Sequence, residues 1–162
     1  MPLYEDKHNA ENHITISENN KNAVIFGAQA VIKAIAQEIM DLGENSNIAF
    51  EGWYGIEYEK IVDAVNTELK KSGFEVKFIH ANTILKSITE LKNYKQPYIT
   101  DDPGFGYVNS EGVLEELVDE KKSTELLNTL ENRRGVNVVY GSAAAVSQLT
   151  NVYDRIFYFD IT

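Results

Sequence analysis

The sequence predicts an α/β domain, three layers deep (α/β/α), built around a mainly parallel sheet. Three observations carry that prediction. Short apolar runs with strand character alternate along the chain with segments of helical periodicity. The connections between them are short, as they are where successive elements lie side by side. Three strand runs also exit into small residues, Gly27-Ala28, Gly52 to Gly55 and Gly141-Ser142, and open parallel sheets take up ligands at such strand ends.

Residues 1–22 read as an N-terminal arm or short strand: no periodicity over 1–13, a short strand at 14–16 and an Asn-rich turn at 19–22. The domain proper is expected over 23–162. Residues 23–26 are a strand candidate stopped by Gly27. A helix is predicted over 28–42, where Val31, Ile35, Ile39 and Leu42 share a face, with Gly43 ending it in a left-handed conformation. Residues 47–51 read as a buried strand and 52–56 as a tight turn. The period changes at Tyr58, so a helix should start within two or three residues of Glu57, with Tyr58, Ile61, Val62, Val65 and Leu69 as its apolar stripe.

Phe74, Val76 and Phe78 alternate with Glu75 and Lys77, the pattern of a strand with one polar face. Asn82 or Thr83 is expected to cap a helix carrying Ile84, Leu85, Ile88 and Leu91. A short strand at 98–100 should lead into a loop at 101–106. Helices are predicted over 110–118 and 123–134, and residues 136–140 form a near-continuous apolar strand of the kind covered on both faces. A short helix over 142–149 and a last strand over 155–161 complete the chain. That strand is apolar on both sides of its alternation and is expected to be covered on both faces, by earlier helices or by a further polypeptide segment. A natural doubly wound domain can stop directly after such a strand, and an excised N-terminal domain of a longer protein, the expectation favoured, would look the same.

Composition bounds the function. At 162 residues the chain can bury one core without staples. The formal net charge of -10 works against nucleic acid, and the only paired basic residues, Lys70-Lys71, Lys121-Lys122 and Arg133-Arg134, fall at predicted helix ends. No apolar run approaches the roughly 20 residues that span a bilayer, and the N-terminus is polar and acidic, so a cytoplasmic protein without a membrane partner is expected. The absence of cysteine excludes disulfides, thiolate metal sites and cysteine nucleophiles.

The most informative stretch runs from residue 47 to 62, a strand, a glycine turn and a helix start, which is the path of a phosphate-binding loop. Its chemistry differs. Counting G-x-x-x-x-G-K-[ST] from Gly52 puts Glu57 at the last glycine, Tyr58 at the lysine and Glu59 at the hydroxyl position. Two carboxylates about 5 Å from a phosphate would each cost roughly 3 kcal/mol at an effective dielectric of about 20. A helix N-terminus returns only about 0.3 to 1 kcal/mol per anion. The favoured reading is a loop of phosphate-binding shape plugged by its own glutamates. The other is a ligand that uses Trp53 and Tyr54 as an aromatic wall.

Asp101 and Asp102 could coordinate magnesium or act as a general base, although Asp before Pro-Gly more often simply starts a turn. Gly141 and Ser142 offer backbone N–H groups and a hydroxyl that could take a phosphate or only cap a helix. His8, His13 and His80 form no ligand pair, and His80 reads as a strand-end residue. The candidate ligand contacts are therefore Gly52, Trp53, Tyr54, Gly55, Tyr58, Asp101, Asp102, Gly141 and Ser142. No residue is assigned a catalytic or metal-binding role.

The strand at 47–51 with Gly52 and Gly55, the loop at 100–106, the strand-turn at 138–144 and the run at 153–160 together resemble one family. It is the kinase-like domain found N-terminal to the cupin part of bacterial proteins described as class I mannose-6-phosphate isomerases. The resemblance covers roughly residue 23 to the end and implies a P-loop, nucleoside-kinase-like fold. In that family zinc and the isomerase chemistry belong to the cupin module, so no cofactor is expected in this chain.

Three functions stand open. The first is a non-catalytic accessory domain of an isomerase-like protein, binding or regulatory, with a degenerate P-loop. The second is a small-molecule phosphotransferase with an atypical loop, and the third is a structural domain that packs on a cupin module or on itself. The expected partners are a phosphorylated small molecule, the cupin module, or a second copy.

Overall fold

The computed structural model describes residues 15–102 and 104–160. Its elements in order are α1 (Glu18–Asn22), α2 (Ala28–Leu42), β1 (Asn47–Gly52), α3 (Tyr58–Lys71), β2 (Val76–His80), α4 (Ile88–Lys95), α5 (Glu120–Glu131), β3 (Val136–Tyr140) and β4 (Arg155–Phe159), with short 3-10 turns between several of them. The four strands pair in parallel in the order β2-β3-β1-β4. All four therefore exit at one end of the sheet.

The period-2 alternation of the strands sorts side chains onto two faces. Ile48 and Phe50 of β1, Val138 of β3 and Phe157 and Phe159 of β4 face α2 and α3, which contribute Ile35, Ile39, Val62, Val65 and Leu69. The rings of Phe157 and Phe159 meet Phe50 edge-on, with centroids 5.6 and 5.4 Å away. Ala49 and Val139 face the other way, onto Leu126 and Leu130 of α5 and the turns carrying Ala143, Ala144, Val146 and Leu149. Two buried asparagines fix the entry to the sheet. Asn47 Nδ2 donates to the carbonyls of Leu130 (2.9 Å) and Val152 (3.2 Å), and its Oδ1 accepts from Asn137, its neighbour in the β1–β3 ladder, at 3.1 Å.

Helices α2 and α3 and strands β1 and β3 match the sequence expectation, and the turn from Gly52 to Ile56 does so too, with α3 beginning at Tyr58. Elsewhere the structure corrects it. The strand expected at 14–16 is irregular at Thr15 and Ile16, Ile14 lying outside the described residues with the rest of the arm. The turn at 19–22 is α1, capped by Ser17, whose Oγ accepts from Asn20 N–H at 3.2 Å. Residues 23–26 make no strand. All four places in the sheet are filled by other segments, and Val24, Ile25 and Phe26 stay exposed, Phe26 by 84%.

The cap expected at Asn82 or Thr83 lies at Ser87, which forms a reciprocal capping box with Glu90; Ala81–Ile84 is a single 3-10 turn. Residues 98–100 contribute only one bridge, Ile99 to Gly106, and 110–118 shows only a 3-10 turn at Leu114–Leu117. Consecutive turns replace the helix at 142–149. Strand β4 is an edge strand covered on one face. Phe157 and Phe159 are packed, whereas Ile156 and Tyr158 are 39% and 66% exposed, and Ile161 lies outside the described residues.

Candidate functional site

Strand β1 leaves the sheet through Gly52, where a side chain has no room. A Cβ there would sit 2.0 Å from the Phe159 carbonyl oxygen. The next residue, Trp53, donates its N–H to that same oxygen at 3.2 Å, Ile56 N–H closes the turn on the Trp53 carbonyl at 3.1 Å, and α3 starts two residues later. The chain thus follows the strand-loop-helix path, with Tyr58 opening the helix where a phosphate-binding lysine would stand.

Beside the turn, Glu51 ties the end of β1 to the turns after β3. Its carboxylate accepts from the N–H of Gly52 at 2.9 Å and from the N–H of Ala145, in the turns after β3, at 2.8 Å. The glutamates expected to plug the loop point elsewhere. Glu57 pairs with Lys60 at 2.7 Å on the surface, and Glu59 faces His80 Nε2 at 3.4 Å.

Tyr58 is buried, and its hydroxyl has no hydrogen-bond partner among the described residues. Burial pushes the phenol pKa up to about 12; the Ser142 hydroxyl works in the opposite direction, and the Glu51 charge adds to the rise. Above Tyr58, at the exits of β1, β2 and β3, lies a cleft of about 390 Å³. Of the nine sequence candidates it gathers Tyr54, Tyr58, Gly141 and Ser142. Gly52, Trp53 and Gly55 belong to the adjoining turn and do not line it. Trp53 and Tyr54 are both exposed, their rings 5.2 Å apart, and of the two Tyr54 lines the cleft.

Asp101 and Asp102 lie outside the cleft. Asp102 Oδ1 accepts from Gly104 N–H at 2.8 Å, and Thr100 Oγ1 donates to the Asp102 carbonyl at 2.9 Å, so this loop holds itself as a turn. No group of three or more His, Asp or Glu among the described residues is arranged to hold a metal ion.

The cleft also contains residues that the sequence did not single out as ligand contacts. His80, at the exit of β2, accepts the Asn82 N–H on Nδ1 at 3.0 Å and packs edge-on against Tyr140 with centroids 4.8 Å apart. The Nδ1 acceptor role assigns the ring proton of the neutral form to Nε2, the nitrogen facing Glu59. Leu85, Leu114 and Leu117 close the far wall. One signal could have found His80: in a parallel sheet every strand exit opens on the same end, and β2 ends at this histidine.

A family model described as "Domain of unknown function (DUF8485)" matches residues 27–162. The chain belongs to that family. Its match begins at Gly27, the residue that opens α2, and takes in the whole sheet and cleft. No curated protein sequence matches this DUF8485 chain. Among solved structures it is similar to a "putative fructose transport system kinase" from Silicibacter sp. TM1040. The TM-score is 0.57 at 11% identity, over 81% of this chain and 75% of that one. The fold is thus α/β with an all-parallel four-stranded sheet that resembles the P-loop kinase fold. RIF2 of Saccharomyces cerevisiae aligns at a TM-score of 0.43 and 16% identity, over 82% of this chain and 54% of that one, and at that score supports no conclusion. No helix among the described residues is long and apolar enough to cross a membrane.

Proposed function

We propose that this chain is a kinase-like binding module without phosphotransfer chemistry, and that its ligand enters the cleft at the exits of β1, β2 and β3. One observation carries the reading: Tyr58, a buried phenol, opens α3 where a P-loop lysine would stand, and the Glu51 carboxylate lies beside the turn on the Gly52 and Ala145 N–H groups, so the loop offers a phosphate a negative neighbour and no lysine. A second anion there would meet Glu51 without a lysine to offset it, since Tyr58 stands in that place. A phosphotransferase with an atypical loop is the weaker reading for the same reason.

The cleft favours a small molecule with an apolar part against Tyr54, Leu85, Leu114 and Leu117. Ser142 and Asn82 supply hydrogen-bonding groups beside it. With Glu59 on its wall, this ligand carries no net negative charge. A role beside an isomerase-like cupin module rests on the sequence resemblance alone.

The test is calorimetric titration with ATP and magnesium and with mannose 6-phosphate, together with an assay for released phosphate. Neither ligand should bind saturably at the strand exits, and no ATP should be hydrolysed. Submillimolar ATP affinity accompanied by backbone amide shifts at Gly52–Tyr58 and Gly141–Ser142, or turnover of ATP, overturns the reading.

A further inference from the structure

At the opposite end of the sheet, where β2 and β3 begin, an open hollow of about 560 Å³ is lined by Lys70, Lys77 and Arg134 over a floor that includes Phe74, Val76 and Val136. The local charge reverses that of the whole chain. Three cations stand here against one lining carboxylate, Glu75, with Glu44 in the adjoining hollow, whereas the full sequence has 15 Lys and Arg against 25 Asp and Glu. The three cations come from different elements: the last turn of α3, the polar face of β2 and the residues after α5.

Basic residues at helix ends ordinarily offset the partial negative charge of the last carbonyls. That account covers Lys70 and in part Arg134, but not Lys77, which sits on a strand. The neighbours sharpen the contrast. Lys71 pairs with Glu68 at 2.7 Å and Arg133 with Asp154 at 2.9 Å, while Lys70, Lys77 and Arg134 have no ion-pair partner among the described residues. A second hollow, of about 370 Å³ and also lined by Lys77 and Arg134, extends the basic surface towards Thr129 and Asn132.

We infer that this hollow binds a small phosphorylated molecule, its phosphate held by Lys70, Lys77 and Arg134 and its carbon part lying on Phe74 and Val76. The volume suits a small ligand rather than a polymer, and the apolar floor gives a phosphate ester more to hold than inorganic phosphate has. This site is independent of the strand-exit cleft and its ligand.

Phenyl phosphate, inorganic phosphate and phenol titrated into the 15N-labelled chain test the inference. Phenyl phosphate should shift the backbone amides of Gly73, Glu75, Lys77 and Gly135 saturably, inorganic phosphate the same amides more weakly, and phenol none of them. Added salt should weaken the response. All three cations are exposed, so the double variant Lys77→Glu with Arg134→Glu keeps a dispersed spectrum and weakens phenyl phosphate binding by at least about tenfold. Unchanged affinity in that variant, no saturable shift, or shifts confined to Gly52–Tyr58 and Gly141–Ser142 overturn the inference. Saturation by a poly-glutamate peptide without any response to phenyl phosphate also overturns it and assigns the hollow to an acidic protein segment.

Discussion

The Glu51 carboxylate accepts a hydrogen bond from the backbone N–H of Ala145, 94 residues further along the chain, at 2.8 Å. Its other oxygen accepts from Gly52 N–H, so one side chain ties the loop after β1 to the turns after β3. Replacing it strands a donor in a half-buried position. Glu51→Ala is expected to destabilise the fold by about 1 to 3 kcal/mol, and Glu51→Gln, which retains one acceptor, by less. Urea unfolding of the two variants measures this, and an alanine variant as stable as the parent would contradict the role given to Glu51.

The same contact bears on grafting nucleotide binding. Glu57→Gly, Tyr58→Lys and Glu59→Ser together restore the loop residues, remove two negative charges and add a positive one, so ATP affinity should rise. The Gly52 and Ala145 amides remain occupied in that variant. Adding Glu51→Gln should raise affinity by a further order of magnitude, about 1.4 kcal/mol. Calorimetry on both folded variants decides it: equal affinities would mean that Glu51 does not compete with the phosphate.

Long, continuous patterns in the sequence translated into structure, and composite ones did not. The stripe from Val31 to Leu42 and the run from Val136 to Tyr140 each carry their whole signal locally, and both formed as read. Residues 81–118 are organised instead by distant partners: Lys86 N–H bonds the Leu117 carbonyl, Asp119 N–H bonds that of Ile84, and Leu85 bridges Val118. No period announces such pairs: the helix expected from Asn82 or Thr83 starts only at Ile88, and the one expected over 110–118 shrank to a single turn.

The sites behaved alike. Tyr54, Tyr58, Gly141 and Ser142, the candidates that line the cleft, were legible because glycine turns mark strand exits. The Glu51 contact was not, because its partner lies on another strand's loop. Lys77 read as the polar face of a strand and Lys70 and Arg134 as helix ends; only the pairing of β2 with β3 brings them together.

Asp154 makes the acid limb of stability predictable. Burial acts to raise its pKa, but the Asn47 N–H at 2.9 Å and the Arg133 guanidinium at 2.9 Å outweigh it and hold the carboxyl below its ordinary value. A depressed folded-state pKa contributes stability above the unfolded value, near 4, that is lost as pH falls through the folded one. Asp154→Asn should therefore cost about 1 to 3 kcal/mol at neutral pH and flatten the decline on acidification. Unfolding curves from pH 6 to pH 2 show both, and an unchanged acid slope in the variant would remove Asp154 from the account.

Two tyrosines, Tyr58 buried and Tyr153 half-buried, should respond oppositely to loss of the hydroxyl. Tyr153 donates to the Ala144 carbonyl at 2.6 Å, so Tyr153→Phe leaves an acceptor behind and should cost about 0.5 to 1.5 kcal/mol. The Tyr58 hydroxyl has no partner among the described residues, so Tyr58→Phe should be neutral or stabilising by up to about 1 kcal/mol. Alkali separates their shared trait from this difference. Both phenols are raised, chiefly by burial, Tyr58 to about 12. A raised folded-state pKa leaves stability intact below the unfolded value near 10 and removes it as pH climbs towards the folded one, by about 2 kcal/mol for Tyr58 alone once pH reaches 12. Each Phe variant should therefore soften the alkaline loss while shifting neutral-pH stability in its own direction. Urea unfolding at pH 7 and pH 11 reads both effects. A Tyr58→Phe protein markedly less stable than the parent at pH 7 would mean that its hydroxyl is hydrogen-bonded in solution, with the Ser142 hydroxyl as the candidate partner.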